Sequence, residues 1–208
     1  MSVVVEIVPV TPDRWHDVLT LFGPNGAYSN CWCTWWIWRS ADWDRRAPAE
    51  RRRELERRVM TGEEPGLLAY EGGDPIGWCA VAPRERYERL NNPRARTYRR
   101  LDDRPSWVVT CFFIRRDRRG EGVATALLDA VGEFVAARDG TLIEGYPTEH
   151  AEHGPSAMYT GTVPMFTAAG FVEAARPGGR PLVRLELPRR AGARTRRRPA
   201  RRPGDLAD

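Results

Sequence analysis

Apolar and polar residues follow one another along this chain in blocks whose periods predict alternating strands and helices. The stretch "SWVVTCFFI" is apolar at nearly every position, as in a strand buried on both faces. In "GEGVATALLDAVGEFVAARDG", Val123, Leu127, Val131 and Val135 share one face at the 3.6-residue period of a helix. The order β, α, α, β, β, β, α, β, α, β, β indicates an α/β (α+β) chain, with helices on both faces of one mixed sheet.

Turn signals set the bounds of these blocks. Two apolar runs flank "EGGDP", which is typical of a hairpin. Residues 12–22 and 47–62 are predicted as helices, each ending at a glycine. Two segments lack a clean period: residues 24–45 are predicted as a long aromatic loop, and residues 83–105 as irregular chain with one helical turn near 84–90.

Charge is concentrated at the C-terminal end. The last twenty residues hold eight arginines and two acidic residues, a net charge of +6, and the whole chain carries +5, which leaves −1 for residues 1–188. This arginine-rich segment is also poor in large apolar side chains, so it is predicted to be a disordered tail behind one folded domain, 1–188. If the protein binds nucleic acid, the sequence places that contact in the tail alone.

Several classes of protein do not fit the composition. The 208 residues are 41% apolar, enough for a sizeable core, yet no apolar run is long enough to span a bilayer. "MSVVVEIVPV" lacks the basic start of a signal peptide, so a cytoplasmic protein without a membrane partner is expected. Four cysteines, at positions 31, 33, 79 and 111, are not expected to form a disulfide framework in that compartment.

A glycine-rich turn carries the clearest chemical signal. In "FFIRRDRRGEGVATALL", a buried strand leads through Arg119-Gly120-Glu121-Gly122 into a helix. The first turn of a helix offers unpaired N–H groups, and glycines let a diphosphate approach that backbone closely. A tight structural turn would use the same residues, so the motif needs its context. The two better-known phosphate motifs are excluded, because no lysine follows Gly122 and position 125 is Thr.

The same segment resembles the acyl-CoA-binding motif of the GNAT superfamily of N-acetyltransferases. That motif reads Gln/Arg-x-x-Gly-x-Gly/Ala, and Arg119, Gly122 and Ala124 match it. "GLLAYEGGDPIGWCAV" resembles the second and third strands of the family, "TLIEGYP" its fifth strand, and "MFTAAGFVEAAR" its last helix and Gly-Phe turn. The resemblance covers about residues 3–188. It implies a twisted, mostly antiparallel sheet of about six to seven strands with about four helices, splayed between strands four and five.

For the acyl donor, the resemblance implies that acetyl-CoA is bound by the glycine turn and by the backbone of the fourth strand, with no metal. The predicted cofactor contacts are Phe112, Phe113, Ile114, Arg119, Gly120, Glu121, Gly122, Val123 and Ala124.

For catalysis, the resemblance implies that Glu144 in "LIEGY" is the general base. Burying a carboxylate costs several kcal/mol unless it is paired or takes up a proton more readily, so an ion pair with an arginine is the alternative interpretation. Many relatives carry a Tyr acid at the position that is Phe166 here. Tyr159 or Tyr146 is therefore predicted to replace it, unless the thiolate leaves without a proton, and Tyr146 is also predicted to contact the substrate. His150 and His153 are predicted at the acceptor end of the pocket, where solvated loop histidines are the alternative.

The unusual stretch "NCWCTWWIWR" lies between the first two predicted helices, where relatives form one wall of the acceptor cleft. Trp32, Trp35 and Trp36 are predicted to form an aromatic wall for the acceptor, and a loop anchored in the core is the alternative. A zinc site and a redox pair at Cys31 and Cys33 are both disfavoured, since two further ligands are missing and one intervening residue strains a disulfide. Both cysteines are predicted to be small buried fillers.

The expected function is therefore acetyl transfer to the primary amine of a small molecule by a monomer or homodimer. An acyl-CoA sensor without turnover, or an acetyltransferase for a protein-borne or RNA-borne amine, is the alternative.

Overall fold

A computed structural model describes residues 5–149 and 158–189 of the chain. The predicted tail beyond Arg189, His150 and His153 lie outside the described residues. The strands are β1 (Glu6–Pro9), β2 (Gly66–Glu71), β3 (Asp74–Pro83), β4 (Trp107–Ile114), β5 (Leu142–Gly145), β6 (Val172–Ala175) and β7 (Leu182–Glu186). The α-helices are α1 (Trp15–Phe22), α2 (Ser40–Arg45), α3 (Pro48–Met60), α4 (Val123–Ala136) and α5 (Val163–Ala168).

The strands form one seven-stranded sheet in the order β1-β2-β3-β4-β5-β7-β6. β4 and β5 are parallel, and every other neighbouring pair is antiparallel. The predicted fold class is confirmed. The structure adds one helix to the predicted order, because the short helix α2 lies inside the segment predicted to be a loop.

Two apolar cores lie on opposite faces of this sheet. Along β2, Leu67 and Ala69 belong to one core, and Leu68 and Tyr70 belong to the other, as the two-residue period of a strand requires. Helices α4 and α5 cover the first face, and α1 and α3 cover the second. The predicted apolar stripe of α4 is fully buried in the first core.

The sheet opens between β4 and β5. Their pairing ends where Val109 lies opposite Gly145, whereas β4 continues for five more residues to Ile114. Directly at this point the register between β3 and β4 skips Thr110, a bulge that bends β4. The far end of β4 therefore separates from β5, and within residues 5–149 and 158–189 no strand pairs with its backbone groups on that side.

Helix α4 begins close to the same end of β4. Its first residue, Val123, packs directly over Gly77 of β3, where an added Cβ would lie 2.8 Å from the Val123 side chain. Gly77 thus permits the close approach that places the start of α4 beside the gap. In the described part of the chain, no helix is long and apolar enough to cross a membrane.

Candidate active site

A cavity of about 820 Å³ lies at the gap in the sheet. The end of β4, from Cys111 to Ile114, forms its floor, and the first turn of α4 forms one end. The aromatic segment before α3 forms the opposite wall, together with Tyr159. The cavity therefore joins the predicted phosphate turn to the predicted aromatic wall.

The turn before α4 is open toward this cavity. Gly120 and Gly122 have φ values of +82° and +84°, a left-handed conformation that side chains rarely adopt. A Cβ built on either residue has no atom within 4 Å, so the space beside them is free. The first helical hydrogen bond runs from Ala126 N–H to the Gly122 carbonyl, which leaves the preceding N–H groups without a helical acceptor. These groups and the helix dipole favour an anion.

Two arginines border this turn and differ in their partners. Arg118 donates to Glu71 at 2.6 Å, so its charge is already compensated. Arg119 Nε donates to the carbonyl of Ile114 at 3.1 Å and ties the turn to the end of β4. Of the predicted cofactor contacts in this turn, Arg119, Gly120, Gly122, Val123 and Ala124 line the cavity, whereas Glu121 is exposed and does not.

The predicted strand contacts also lie at the cavity. Phe112, Phe113 and Ile114 line it, and all three follow the residue at which the pairing with β5 ends. Because the peptide groups of a strand point alternately to its two sides, part of the backbone of this segment points toward the gap from which β5 has separated. A thioester lying in the gap is therefore within reach of fixed backbone N–H donors, which is what a developing oxyanion requires.

Trp35 and Trp36 line the cavity, and Trp43 from α2 joins them. The rings of Trp35 and Trp43 meet edge to face with their centroids 4.9 Å apart. Behind Trp35, the guanidinium of Arg89 stacks 3.7 Å from the ring centroid and donates to the Trp35 carbonyl at 2.6 Å. The wall is thus held from behind by a cation and offers aromatic surface to the cavity.

Trp32, which was predicted to belong to the aromatic wall, lies outside it. Its side chain is buried in the core beneath the sheet, with Trp15 at 6.5 Å and Phe22 at 5.8 Å between ring centroids, and it does not line the cavity. Trp32 and Cys33 both have φ values near +48°. The buried Trp32 ring anchors this unusual turn, so its role is the alternative stated above, a core anchor.

The structure also corrects the prediction that Glu144 is the general base. Glu144 is 2% exposed and does not line the cavity. Its Oε2 accepts from Arg84 at 2.9 Å and from Ser106 at 3.1 Å, and its Oε1 accepts from Arg184 at 2.6 Å. Both oxygens are therefore occupied by donors of the protein, and neither is available to a substrate amine. The geometry supports the ion-pair interpretation and not a general base.

The structure likewise corrects the prediction that Tyr146 lies at the substrate pocket. Its hydroxyl accepts from Arg84 at 2.7 Å, and its ring packs edge to face on Tyr98 at 5.3 Å, away from the cavity. Tyr98 in turn packs edge to face on Trp36 at 4.9 Å. Tyr146 therefore supports the wall from behind. It does not reach the cavity, where a substrate contact or an acid would have to lie.

Tyr159 lies at the cavity, with its ring centroid 6.4 Å from that of Trp36. Burial raises its pKa above the ordinary value of a phenol, so the hydroxyl keeps its proton at neutral pH. Phe166 is fully buried and packs edge to face on Phe112 and Phe171. The family's tyrosine position is thus a core position in this chain.

Cys33, which was predicted to be a small buried filler together with Cys31, is buried in the core but also borders the cavity. Cys31, Cys33 and Cys111 all line the cavity, and the Sγ atoms of Cys33 and Cys111 are 3.7 Å apart. Burial raises the pKa of Cys31 to about 11. Among the described residues, no group of three or more His, Cys, Asp or Glu side chains is arranged to hold a metal ion.

Three residues in and behind the site, Arg84, Trp43 and Cys111, were not predicted from the sequence. Arg84 is completely buried and organises Glu144, Tyr146 and the carbonyls of Leu90 and Tyr98. Its position directly after the apolar strand β3 was the available sign, since a buried arginine needs several acceptors nearby. Trp43 lies in a segment without a periodic pattern, and Cys111 directly precedes the predicted strand contacts, which began at Phe112.

Comparisons with known proteins agree with this geometry. A family model described as the acetyltransferase (GNAT) family matches residues 32–153, more than half of the chain. No protein of curated function matches.

Solved structures share the fold at low identity. An N-acetyltransferase from Staphylococcus aureus Mu50 is 12% identical with a TM-score of 0.51, over 89% of this chain and 99% of that one. The PaiA N-acetyltransferase from Thermoplasma acidophilum, solved in complex with coenzyme A, is 10% identical with a TM-score of 0.51, over 88% and 99%. YncA from Salmonella typhimurium, solved with acetyl-CoA, is 14% identical with a TM-score of 0.51, over 88% and 94%. The family match, the splayed sheet and the open glycine turn together show that the chain belongs to the GNAT family of acetyltransferases.

Proposed function

We propose that this chain transfers the acetyl group of acetyl-CoA to the primary amine of a small molecule. The observation that carries the proposal is one cavity that joins an anion-accepting helix start to an aromatic wall, with the unpaired end of β4 between them. The two ends suit the two substrates of such a transfer.

The donor end fits acetyl-CoA. The N–H groups at Gly120 and Gly122 would hold the diphosphate, with the charge of Arg119 beside them. The backbone of Phe112, Phe113 and Ile114 would bind the pantetheine arm and polarise the thioester carbonyl. The chemistry that acetyl-CoA supplies is an acyl group on a good leaving group, a thiol of pKa about 8.5.

The acceptor end fits a small molecule with a flat or apolar part. Trp35, Trp36 and Trp43 supply aromatic surface, and the cavity of about 820 Å³ has to hold the pantetheine arm as well. This size favours a small amine over the side chain of a folded protein.

The alternative function, an acyl-CoA sensor without turnover, is supported by Phe166, because a phenylalanine at the family's tyrosine position cannot donate a proton.

Tyr159 at the cavity is the proposed proton donor for the leaving group. Because Tyr159 keeps its proton at neutral pH, it can donate a hydrogen bond to the departing thiolate. The acceptor amine has to lose a proton before it attacks, since an alkyl amine has a pKa of about 10.4. With both oxygens of Glu144 occupied, His150 becomes the candidate base in the proposal.

The test is an acetylation assay on the purified full chain. Acetyl-CoA is incubated with aliphatic and aromatic primary amines, and both CoA release and the acetylated amine are measured. Turnover with small amines but not with peptides or RNA supports the proposal. Binding of acetyl-CoA without CoA release would indicate the sensor, and loss of activity on removal of residues 189–208 would favour an acceptor that the tail binds.

Two tryptophan variants locate the acceptor in the same assay. Trp35→Ala is expected to raise the KM of the amine by about tenfold and to leave that of acetyl-CoA nearly unchanged, because it removes wall surface worth about 1–2 kcal/mol. Trp38→Ala is the control, since Trp38 stacks on Arg46 and does not line the cavity. An increase confined to the KM of acetyl-CoA would contradict the assignment of the wall.

A further inference from the structure

We propose that Cys33 and Cys111 form a reversible disulfide that switches the acetyltransferase site between an open and a stapled state. Their Sγ atoms lie 3.7 Å apart although the residues are 78 positions apart in sequence. Both side chains line the cavity. The pair therefore joins the aromatic wall to the floor of the site.

The backbone holds both cysteines in place for this reaction. Cys33 follows Trp32 in a turn whose two residues have left-handed φ values, and the buried Trp32 ring fixes that turn against the sheet. Cys111 lies just beyond the point where β4 loses its pairing with β5. A disulfide bond is about 2.05 Å long, so the sulfur atoms need to approach by roughly 1.6 Å, which side-chain rotation can provide.

The chemistry balances with a small disulfide as oxidant. The Cys111 thiol loses its proton and attacks one sulfur of oxidised glutathione, which gives a mixed disulfide and one glutathione thiolate. The Cys33 thiol then loses its proton and attacks Cys111 Sγ, forming the protein disulfide and expelling the second thiolate. Both thiolates take up the released protons, so two protein thiols are oxidised and one small disulfide is reduced.

The order of attack follows from the surroundings of the two thiols. The hydrogen bond to Cys111 and burial raise the pKa of Cys33, and Cys111 is the more exposed of the two. Cys111 therefore meets the oxidant first, and Cys33 resolves the adduct. The raised pKa also means that the exchange is slow at neutral pH, because the thiolate is the reacting form.

The other two cysteines are poorer partners. Cys31 and Cys33 flank a single residue, Trp32, and a disulfide across one residue is strained. Cys79 is fully buried in β3 and belongs to the core on the opposite face of the sheet from Cys33. Pairing of Cys79 with Cys33 would therefore require its side chain to cross the sheet.

The expected consequence rests on the proposed function. A bond between Cys33 and Cys111 draws the aromatic wall toward the strand that is proposed to bind the thioester. A displacement of this size at a reacting centre lowers turnover, on the order of tenfold or more. The bond also closes a long loop, so it should raise the thermal midpoint of unfolding.

The experiment uses the full chain treated with oxidised glutathione, followed by alkylation of free thiols and peptide mapping without reductant. The expected result is loss of two of the four thiols, a peptide that links Cys33 to Cys111, a higher thermal midpoint, and lower acetyl transfer that dithiothreitol restores. Cys79→Ser is the control and should still lose two thiols. Cys33→Ser should instead retain a glutathione adduct on Cys111.

Three results would overturn the proposal. The first is that all four thiols remain free under oxidation that modifies an exposed model thiol. The second is a link between Cys31 and Cys33, or a stable adduct on Cys111 beside a free Cys33. The third is a link between Cys33 and Cys111 with unchanged acetyl transfer, which removes the switch. If the reduced protein transfers no acetyl group to any amine, the proposed function fails, whereas the peptide map still decides the disulfide.

Discussion

At the scale of single residues, the type of an amino acid alone did not show whether it has a structural or a catalytic role. Glu144 is an acidic residue in an apolar strand, a pattern that fits both a catalytic base and a buried ion pair. Its partners, Arg84 and Arg184, lie 60 and 40 positions away, so no local pattern could show them. The same limit applies to Trp32 and Trp35, which are three residues apart and reach opposite surroundings, the core and the cavity.

Replacing Glu144 separates the two interpretations. Glu144→Gln leaves the fully buried Arg84 without a charged partner, so we expect the free energy of unfolding to fall by about 3 kcal/mol or more. Denaturant unfolding measures this change. Glu186→Gln is the control, because Glu186 is 64% exposed and pairs with Arg104 at the surface, where such pairs contribute roughly 0–1 kcal/mol. A stable Glu144→Gln protein with turnover about 100-fold lower would restore the base.

At the scale of elements, the sequence was informative wherever period and turn residues act locally. The stripe of α4, the hairpin of β2 and β3, and the glycine turn were all predicted, because each depends on residues a few positions apart. The segment between α1 and α3 was not, since it combines successive turns, left-handed residues and the short helix α2 without a period. Its shape depends on contacts such as Arg51 stacked 3.4 Å from the Trp43 ring, which sequence spacing does not encode.

The start of α4 makes a direct prediction. Gly122→Ala places a methyl group in the open space beside the N–H groups of the first turn, so we expect the affinity for CoA to fall by about tenfold or more. Gly179→Ala is a matched control: Gly179 has φ +83°, likewise has no atom within 4 Å of an added Cβ, and does not line the cavity. Each variant carries a similar backbone strain, about 1–2 kcal/mol. Calorimetry with CoA that shows equal affinities for the two variants would place the diphosphate elsewhere.

At the scale of the whole molecule, one buried network connects parts that are distant in sequence. Arg84 at the end of β3, Glu144 in β5 and Arg184 in β7 form a continuous chain of ion pairs, and Asp102 from the irregular segment before β4 completes it. Arg84 also donates to the carbonyls of Leu90 and Tyr98, which fixes that segment behind Trp36. The sheet and the aromatic wall are therefore stabilised by the same charges. Because the partners are far apart along the chain, the sequence alone shows only isolated arginines.

This network gives the fold an acid dependence that can be measured. The hydrogen bonds from Arg184 lower the pKa of Asp102 from 3.8 to about 2. Because the folded-state value is the lower one, the stabilisation is fully present above pH 4 and is lost as the pH falls from about 4 to 2. The difference in unfolding free energy between the wild-type protein and Asp102→Asn should therefore be constant at neutral pH and shrink across that interval. Asp103→Asn is the control, since Asp103 is exposed and has no ion pair within the described residues. A difference for Asp102→Asn that stays constant down to pH 2 would show that Arg184 does not hold this carboxylate.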